Sequence, residues 1–291
     1  MIPVLWQSGS VVVQTHDLFS VLGVAVGLAI YYRSLRLAGL LEPKILIASS
    51  AVLIGGVVGA RLITAWEHPA FYVDSIAAGA PFTWTVEHSG KSLVGALAGG
   101  FLAGVLAKRV LRYSTSTADH YVIAIAVATA IGRVGCFLSE LPLGAPTSLP
   151  WGVSVSPVAA AAFARCPGCD LPMHPSMLYE ILFNVLAVCA IVRWRRNVPV
   201  RGDLLRLYLL AAFVFRFLVE FVRGNEVQAL VLTGPQIVLI PLIAALGWHF
   251  LREVRQHAWR LPAAPPAPGV VAISPESHPS PSTGQPSWRS T

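Results

Sequence analysis

The sequence predicts an all-α, polytopic integral membrane protein with about seven transmembrane helices. Of its 291 residues, 55% are hydrophobic and only 12% are charged. The mean hydropathy of +0.66 is well above the value of a soluble domain. Basic residues also alternate between rich and poor connecting segments, which is typical of a chain that crosses a bilayer repeatedly. These observations exclude a soluble globular protein.

The expected spans follow from the lengths of the apolar windows. A bilayer core about 30 Å thick needs roughly 20 mostly apolar residues per helix, or fewer where flanking side chains reach the surface. The first and third windows are short. The seven windows are 17–32, 45–66, 92–107, 120–138, 178–192, 204–221 and 236–251.

Local sequence features support several of these expected helices. No basic run precedes the first window and residues 14–17 are polar, so we expect this helix to be retained and not cleaved as a signal peptide. Gly55, Gly56 and Gly59 in the second window, and the glycines of the third, predict close contacts between helices. Pro175 lies where the fifth helix is expected to start, a position that proline favours.

The distribution of Lys and Arg predicts the orientation. Alternate connecting segments hold 14 and 3 basic residues. The rich set is expected in the cytoplasm, so the N-terminus is outside and the C-terminus inside. The net charge of +7 is explained by this bias, together with attraction to anionic lipid, and requires no nucleic-acid partner.

Six charged residues lie inside or at the ends of these windows, at the outer side of the predicted bilayer. A charge in hydrocarbon costs about 2.5–3.5 kcal/mol on insertion scales, so such residues usually indicate a functional site. Arg216 and Glu220 are four residues apart and are expected to pair on one helix face. The alternative is a set of ion pairs that only anchor the helices. The six residues are Arg61, Arg133, Glu180, Arg216, Glu220 and Arg223.

Three sequence motifs carry most of these charges. They are GRVGCF at 132–137, HPSMLYE at 174–180 and FRFLVEFVR at 215–223. In this order they resemble the G-R-x-G, H-P-S-x-L-Y-E and F-R-x-x-V-E-F-x-R stretches of the prolipoprotein diacylglyceryl transferase family. Three shorter stretches also resemble that family: GAR at 59–61, GKSLVGAL at 90–97 and GPQI at 234–237. The resemblance extends from about residue 17 to residue 251.

The resemblance implies an enzyme of lipoprotein biosynthesis in the bacterial plasma (inner) membrane. Such an enzyme transfers diacylglyceryl from phosphatidylglycerol to a lipobox cysteine thiol of a prolipoprotein, forms a thioether and releases glycerol phosphate. Its partners are phosphatidylglycerol, the lipobox peptide and membrane lipids, and it uses no metal or cofactor. Guanidinium groups suit this chemistry because one guanidinium can donate two parallel hydrogen bonds to two oxygens of a phosphate.

The resemblance also implies roles for individual residues. Arg216 and Glu220 correspond to the catalytic constellation, where a positive group stabilises the charge on the leaving phosphate. The expected lipid-binding residues are Arg61, Arg133, His174, Tyr179, Glu180, Arg223 and Gln236.

The chain departs from the family pattern at several positions. Val94 stands where the family has a histidine, and Cys136 stands where it has an asparagine. The family's N-G-E becomes S-E-L, so the family's acid is either lost or displaced to Glu140. His16 aligns with a family tyrosine, and either His88 or His16 is a candidate catalytic base.

Two further functions remain open because of these departures. The first alternative is a non-catalytic phospholipid-binding membrane protein derived from the family. A transporter is the other, although it would place the charges at the midplane of the bilayer and not at its outer side.

Two domains are expected, a transmembrane transferase-like domain at 1–260 and a cytoplasmic tail at 261–291. The tail is rich in Pro and Ser and lacks periodicity, so we expect it to be disordered. Cys166 and Cys169 lie in an outer loop, where either a disulfide or free thiols are expected, and Cys189 is expected to be buried in its helix.

Overall fold

The structure, a computed structural model, describes residues 4–8, 11–88, 90–139, 144–156, 171–194, 202–224, 227–229 and 231–256. Helices dominate these residues. They are α1 Thr15–Leu37, α2 Pro43–Glu67, α3 Pro69–Ala77, α4 Phe82–His88, α5 Leu93–Val110, α6 Tyr121–Leu138, α7 Ser176–Trp194, α8 Asp203–Glu220 and α9 Gly234–Arg255. A 3-10 turn at Ala118–His120 leads into α6.

Two short antiparallel hairpins complete the described residues. Strand β1 (Val4–Ser8) pairs with β2 (Val11–Gln14) before α1. Strand β3 (Val227–Ala229) pairs with β4 (Leu232–Thr233) before α9.

The predicted fold class is confirmed. Within the described residues, six helices are long and apolar enough to cross a membrane: α1, α2, α5, α6 with its 3-10 turn, α7 and α9. Large apolar side chains such as Val21 (68% exposed) and Leu102 (63% exposed) lie on the outside of the helices. Exposed apolar surface of this kind is stable in contact with lipid. The chain is therefore a multi-pass membrane protein.

The sixth expected span, 204–221, is present as a helix but differs in composition from the other six. Helix α8 is 18 residues long and carries four charged residues, Asp203, Arg206, Arg216 and Glu220. The count of seven spans and their orientation therefore stay predictions. The segment between α2 and α5, which we expected only to connect spans, contains the short helices α3 and α4.

Small residues let two pairs of helices approach closely. A Cβ atom added to Gly59 of α2 would lie 2.9 Å from the Cα atom of Gly99 on α5. A Cβ atom on Gly27 of α1 would lie 3.1 Å from the carbonyl oxygen of Ala124 on α6. The predicted glycine-mediated contact between α2 and α5 is thus confirmed. The Gly59 contact lies near the end of α2, close to Arg61.

The largest buried apolar cluster lies among five helices. It joins α5, α6, α7, α8 and α9, and its residues are Val94, Val122, Ala126, Ile191, Leu205, Tyr208, Leu209, Phe213 and Leu239. Residues 261–291 lie outside the described residues, so the predicted division into two domains stays a prediction.

Candidate functional site

A charged cluster forms where the ends of α6, α7 and α8 meet. We use this name for Arg133, Glu180, Arg216, Glu220 and Arg223. Glu180 is 3% exposed and forms ion pairs with Arg133 and with Arg223, whose Nη1 lies 3.1 Å from the carboxylate Oε1. Helices α6 and α7 and the turn after α8 are therefore joined through one buried carboxylate.

The second glutamate of the cluster anchors α8. Glu220 is 2% exposed and pairs with Arg216 one helical turn earlier, as the sequence predicted. The Nε of Arg223 lies 3.8 Å from Oε2 of Glu220. The hydroxyl of Thr233, just before α9, donates to Oε1 of Glu220 at 3.0 Å. Arg223 thus lies between both glutamates, and α9 contributes to the site through Thr233.

The charged cluster has an excess of positive charge. When ionised, its three arginines and two glutamates carry one net positive charge. Within the described ranges, Nη1 of Arg216 and Nε of Arg223 both face Oε2 of Glu220, but neither has hydrogen-bond geometry with it. Buried donors normally form a hydrogen bond as well as an ion pair. The cluster therefore suits a ligand with one negative charge and several acceptor oxygens.

Arg223 remains charged in this setting. Its burial and the neighbouring guanidinium of Arg216 lower the pKa of Arg223 to about 10. The group is still protonated at neutral pH, so the positive charge of the cluster is present under physiological conditions.

The segment before α7 holds the turn that carries Arg223. The backbone N–H of Ala145 donates to the carbonyl of Val222 at 2.8 Å, and that of His174 donates to the carbonyl of Ala145 at 3.0 Å. A Cβ atom on Gly144 would lie 2.8 Å from Cβ of His174, so a larger residue would disturb this packing.

His174 and Tyr179 form a polar group beside the cluster. Nδ1 of His174 lies 3.1 Å from the Tyr179 hydroxyl, which accepts a hydrogen bond from Nε1 of Trp151 at 2.8 Å. The indole of Trp151 is exposed, and an exposed indole with a hydrogen-bonded N–H is common at membrane interfaces.

Gln236 acts within the protein. Its Oε1 accepts from the backbone N–H of Thr233 at 3.0 Å as part of a capping box at the start of α9, and its Nε2 donates to the carbonyl of Phe217 at 3.3 Å. These bonds fix Thr233 against Glu220. The predicted lipid contact of Gln236 stays a prediction.

Arg61 and Glu67 lie at the end of α2. Nη1 of Arg61 donates to the carbonyl oxygens of Val86 and Gly90, which ties α2 to α4 and to the start of α5. Glu67 is 8% exposed, forms a side-chain hydrogen bond with Ser92 and interacts electrostatically with the charged cluster. Arg61 therefore binds backbone carbonyls, whereas Glu67 faces the charged cluster.

The two candidate histidines are placed very differently. Nδ1 of His16, in the first turn of α1, lies 3.5 Å from Sγ of Cys136. Cys136 is also 3.7 Å from Nη1 of Arg133. His88 ends α4, and its side chain lies outside the described part of the structure.

A partly open cavity begins at Glu180 and Arg216 of the charged cluster and lies between α5, α6, α7 and α8. Glu180 and Arg216 lie at its polar part, and Asn184 and Tyr208 hydrogen-bond to each other in its wall at 2.8 Å. The other lining residues are mostly apolar: Leu93, Val94, Leu97, Thr129, Phe183, Ala212, Phe213 and Phe215. The cavity therefore combines a site for an anion with walls that suit hydrocarbon.

Several site residues were not found by sequence reasoning. Glu67 ends an apolar window, and its charge was the signal that could have identified it. Thr233 precedes a Gly-Pro-Gln stretch and forms a capping box with Gln236, a recognisable pattern. Asn184 is a single polar residue in an apolar helix, and Cys136 was noted only as a departure from the family pattern.

The expectations for the cysteines have mixed outcomes. Cys189 was expected to be buried, but it is exposed on α7 because that face of the helix has no neighbouring helix over it. Cys166 and Cys169, like Glu140, lie outside the described residues. Among the residues that the structure describes, no three His, Cys, Asp or Glu side chains are grouped as a metal site would require.

Comparison with known proteins is consistent with this geometry. The family model described as prolipoprotein diacylglyceryl transferase matches residues 3–252. The phosphatidylglycerol–prolipoprotein diacylglyceryl transferase of Leifsonia xyli subsp. xyli (strain CTCB07) is 30% identical over 275 residues, 91% of this chain and 81% of the relative. The enzyme of the same name from Gloeobacter violaceus (strain ATCC 29082 / PCC 7421) is 31% identical over 269 residues, 88% of this chain and 96% of the relative. That from Frankia alni (strain DSM 45986 / CECT 9034 / ACN14a) is 33% identical over 219 residues, 74% of this chain and 56% of the relative. With the six apolar helices and the charged cluster already described, these matches show that the chain belongs to the prolipoprotein diacylglyceryl transferase family.

Proposed function

We propose that this chain, as a diacylglyceryl transferase, moves the diacylglyceryl group of phosphatidylglycerol to the thiol of a lipobox cysteine. It acts on prolipoproteins in the bacterial inner membrane, at its outer leaflet. The observation that carries this proposal is the charged cluster with one net positive charge at the polar part of a cavity with apolar walls. A phosphatidylglycerol molecule has the matching chemistry, one phosphodiester charge and two acyl chains.

In the proposed mechanism, Arg133 binds the phosphodiester, and Arg216 stabilises the charge that develops on the leaving phosphate. The acceptor sulfur attacks the glyceryl carbon, a C–S bond forms, and the C–O bond to phosphate breaks. The electron pair of that bond goes to the phosphate oxygen, so the leaving group gains a negative charge. Positive groups already in place stabilise this charge without reorganisation.

The glutamates hold the arginines for this step. Glu220 orients Arg216, and Glu180 orients Arg133 and Arg223. We assign Arg61, His174, Tyr179 and Gln236 to the surroundings of the bound lipid. Gln236 would act there through Thr233 and Glu220. His16 and His88 are the proposed candidates for the base that removes the thiol proton.

A second function is favoured by one observation. Val94 is 3% exposed and lines the cavity, at the position where the family pattern has a histidine. An apolar group there cannot transfer a proton. A chain that retains the lipid site without a base would bind phosphatidylglycerol and not turn it over.

The test measures transfer with the purified full chain, phosphatidylglycerol vesicles and a lipobox peptide. Wild type is expected to add diacylglyceryl to the peptide thiol and to release glycerol phosphate. Arg216→Ala should lower kcat about 10²–10³-fold, as loss of an oxyanion-stabilising donor does. Arg133→Ala should abolish retention of phosphatidylglycerol, and Arg133→Lys should recover only part because a lysine lacks the planar fork.

Arg109→Ala provides the matched control, since Arg109 is exposed near the far end of α5. That variant is expected to retain full activity. Lipid retention without any peptide product in wild type would establish the non-catalytic function instead. Wild-type lipid retention by Arg133→Ala would contradict the assignment of the phosphate site.

A further inference from the structure

Helices α1 and α6 bring a thiol, an imidazole and a guanidinium together at the edge of the charged cluster. Sγ of Cys136 lies 3.5 Å from Nδ1 of His16 and 3.7 Å from Nη1 of Arg133. Cys136 is 8% exposed, so this contact is shielded from solvent. The mechanism above assigns Cys136 no role.

The backbone of the two helices keeps this contact in place. A Cβ atom on Gly135 would lie 3.2 Å from Cγ of Phe19 and 3.5 Å from Cα of His16. Only a glycine allows α1 to approach α6 this closely, one residue before Cys136. The packing of α1 on α6 thus places the backbone of His16 beside that of Cys136.

We propose that Cys136 is a positioning residue that holds His16 as the base for the acceptor thiol. This inference rests on the proposed function. A guanidinium has only donors, so the sulfur accepts from Arg133. It also accepts from Nδ1–H of His16, which leaves Nε2 without a proton. An imidazole in this tautomer accepts a proton at Nε2, as a general base does.

The proton balance of the step is simple. The acceptor thiol loses its proton to Nε2 of His16 and becomes a thiolate, which forms the C–S bond to the glyceryl carbon. The C–O bond to phosphate breaks, and its electron pair remains on the glycerol phosphate. The imidazolium of His16 then loses its proton to the released phosphate or to water, which restores the base.

Arg133 connects this pair to the phosphate site. The same guanidinium that contacts Cys136 also pairs with Glu180. A phosphate bound at Arg133 would therefore lie near the thiol–imidazole pair. This arrangement provides a base from α1 and α6, whereas Val94 on α5 provides none.

The charged neighbours of His16 determine how its protonation responds to pH. Asp17 lies on the same helix, Lys91 precedes α5, and Cys136 faces it from α6 with Arg133 behind. Replacing Cys136 removes the group in direct contact with Nδ1 and should shift the pH dependence of the reaction.

The test compares four variants of the full chain in the transfer assay across a range of pH. The wild-type rate should rise with pH as the imidazole of His16 loses its proton. His16→Ala should lower kcat about 10²-fold and abolish this rise. Cys136→Ala should lower kcat less and shift that rise along the pH axis. Cys136→Ser should recover part of the rate, because a hydroxyl oxygen also accepts from Nδ1–H. The fourth variant combines His16→Ala with Cys136→Ala and should be no slower than His16→Ala alone.

The matched controls replace residues of the same types outside the cluster. His68 and Cys189 are both exposed, so His68→Ala and Cys189→Ala should keep the wild-type rate and pH profile. An unchanged kcat and pH profile in His16→Ala would overturn the inference. If kcat falls in His16→Ala but kcat and the pH profile of Cys136→Ala equal those of wild type, the positioning role of Cys136 is overturned.

A second measurement keeps this test separate from the proposed function. The rate at which methyl methanethiosulfonate modifies Cys136 reports its thiolate, which a neighbouring imidazole and guanidinium favour. His16→Ala should shift the pH profile of this reaction at Cys136 and leave the profile at Cys189 unaffected, and a shift in profile does not depend on how easily the reagent reaches the thiol. Absence of transfer by wild type would contradict the proposed function. A pH profile at Cys136 that is the same in wild type and in His16→Ala would overturn the Cys136–His16 pair.

Discussion

At the scale of single residues, Glu180 has the largest structural role in the site. Its buried carboxylate pairs with Arg133 and with Arg223, which come from different parts of the chain. Removing one partner of a buried ion pair leaves a charge without compensation and usually destabilises a protein by about 3–5 kcal/mol. Here two arginines would lose their shared counter-ion.

Glu180→Gln is therefore expected to lower both the thermal midpoint of unfolding in detergent and the transfer activity. The matched control is Glu42→Gln, since Glu42 is exposed just before α2. Unfolding followed by tryptophan fluorescence measures the difference between the two variants. An unchanged midpoint for Glu180→Gln would mean that this glutamate does not hold the cluster together.

At the scale of elements, the contact between α2 and α5 depends on glycines. A Cβ atom on Gly99 would lie 2.9 Å from the Cα atom of Gly59 and closer still to the carbonyl oxygen of Gly55. Both contacts are with backbone, which cannot move aside without separating the helices. The pair of helices brings Arg61 of α2 next to the start of α5, where Gly90 accepts its hydrogen bond.

Gly99→Val should accordingly destabilise the protein by about 1–3 kcal/mol or more, as overpacking does. Gly247→Val is the matched control, because no heavy atom lies within 4 Å of a Cβ atom at Gly247 on α9. The two midpoints of thermal unfolding in the same detergent are compared. Equal midpoints would show that α2 and α5 do not pack through Gly99.

At the scale of the whole molecule, the orientation in the bilayer decides which leaflet supplies the lipid. The ratio of 14 to 3 basic residues in alternate segments predicts a cytoplasmic C-terminus and an outer site. Reporter fusions after Arg112 and after Arg201 should therefore report the cytoplasm, and a fusion after Pro167 should report the exterior. A cytoplasmic signal at Pro167 would place the charged cluster at the wrong leaflet for an exported acceptor.

The sequence by itself determined the features that depend on neighbouring residues along the chain. The helices follow the apolar windows closely, since the length of an apolar run sets the length of a span. The ion pair of Arg216 with Glu220 follows from a separation of one helical turn. The outer position of the charged residues stays a prediction from the distribution of basic residues.

Only the tertiary structure decided which side chains meet across helices. Sequence separation does not reveal that Glu180 joins Arg133 to Arg223, because that depends on how α6, α7 and α8 cross. The contact of Cys136 with His16 spans 120 residues and exists because Gly135 lets α1 approach α6. Helix crossing is set by the packing of many side chains at once, and no single stretch of sequence contains it.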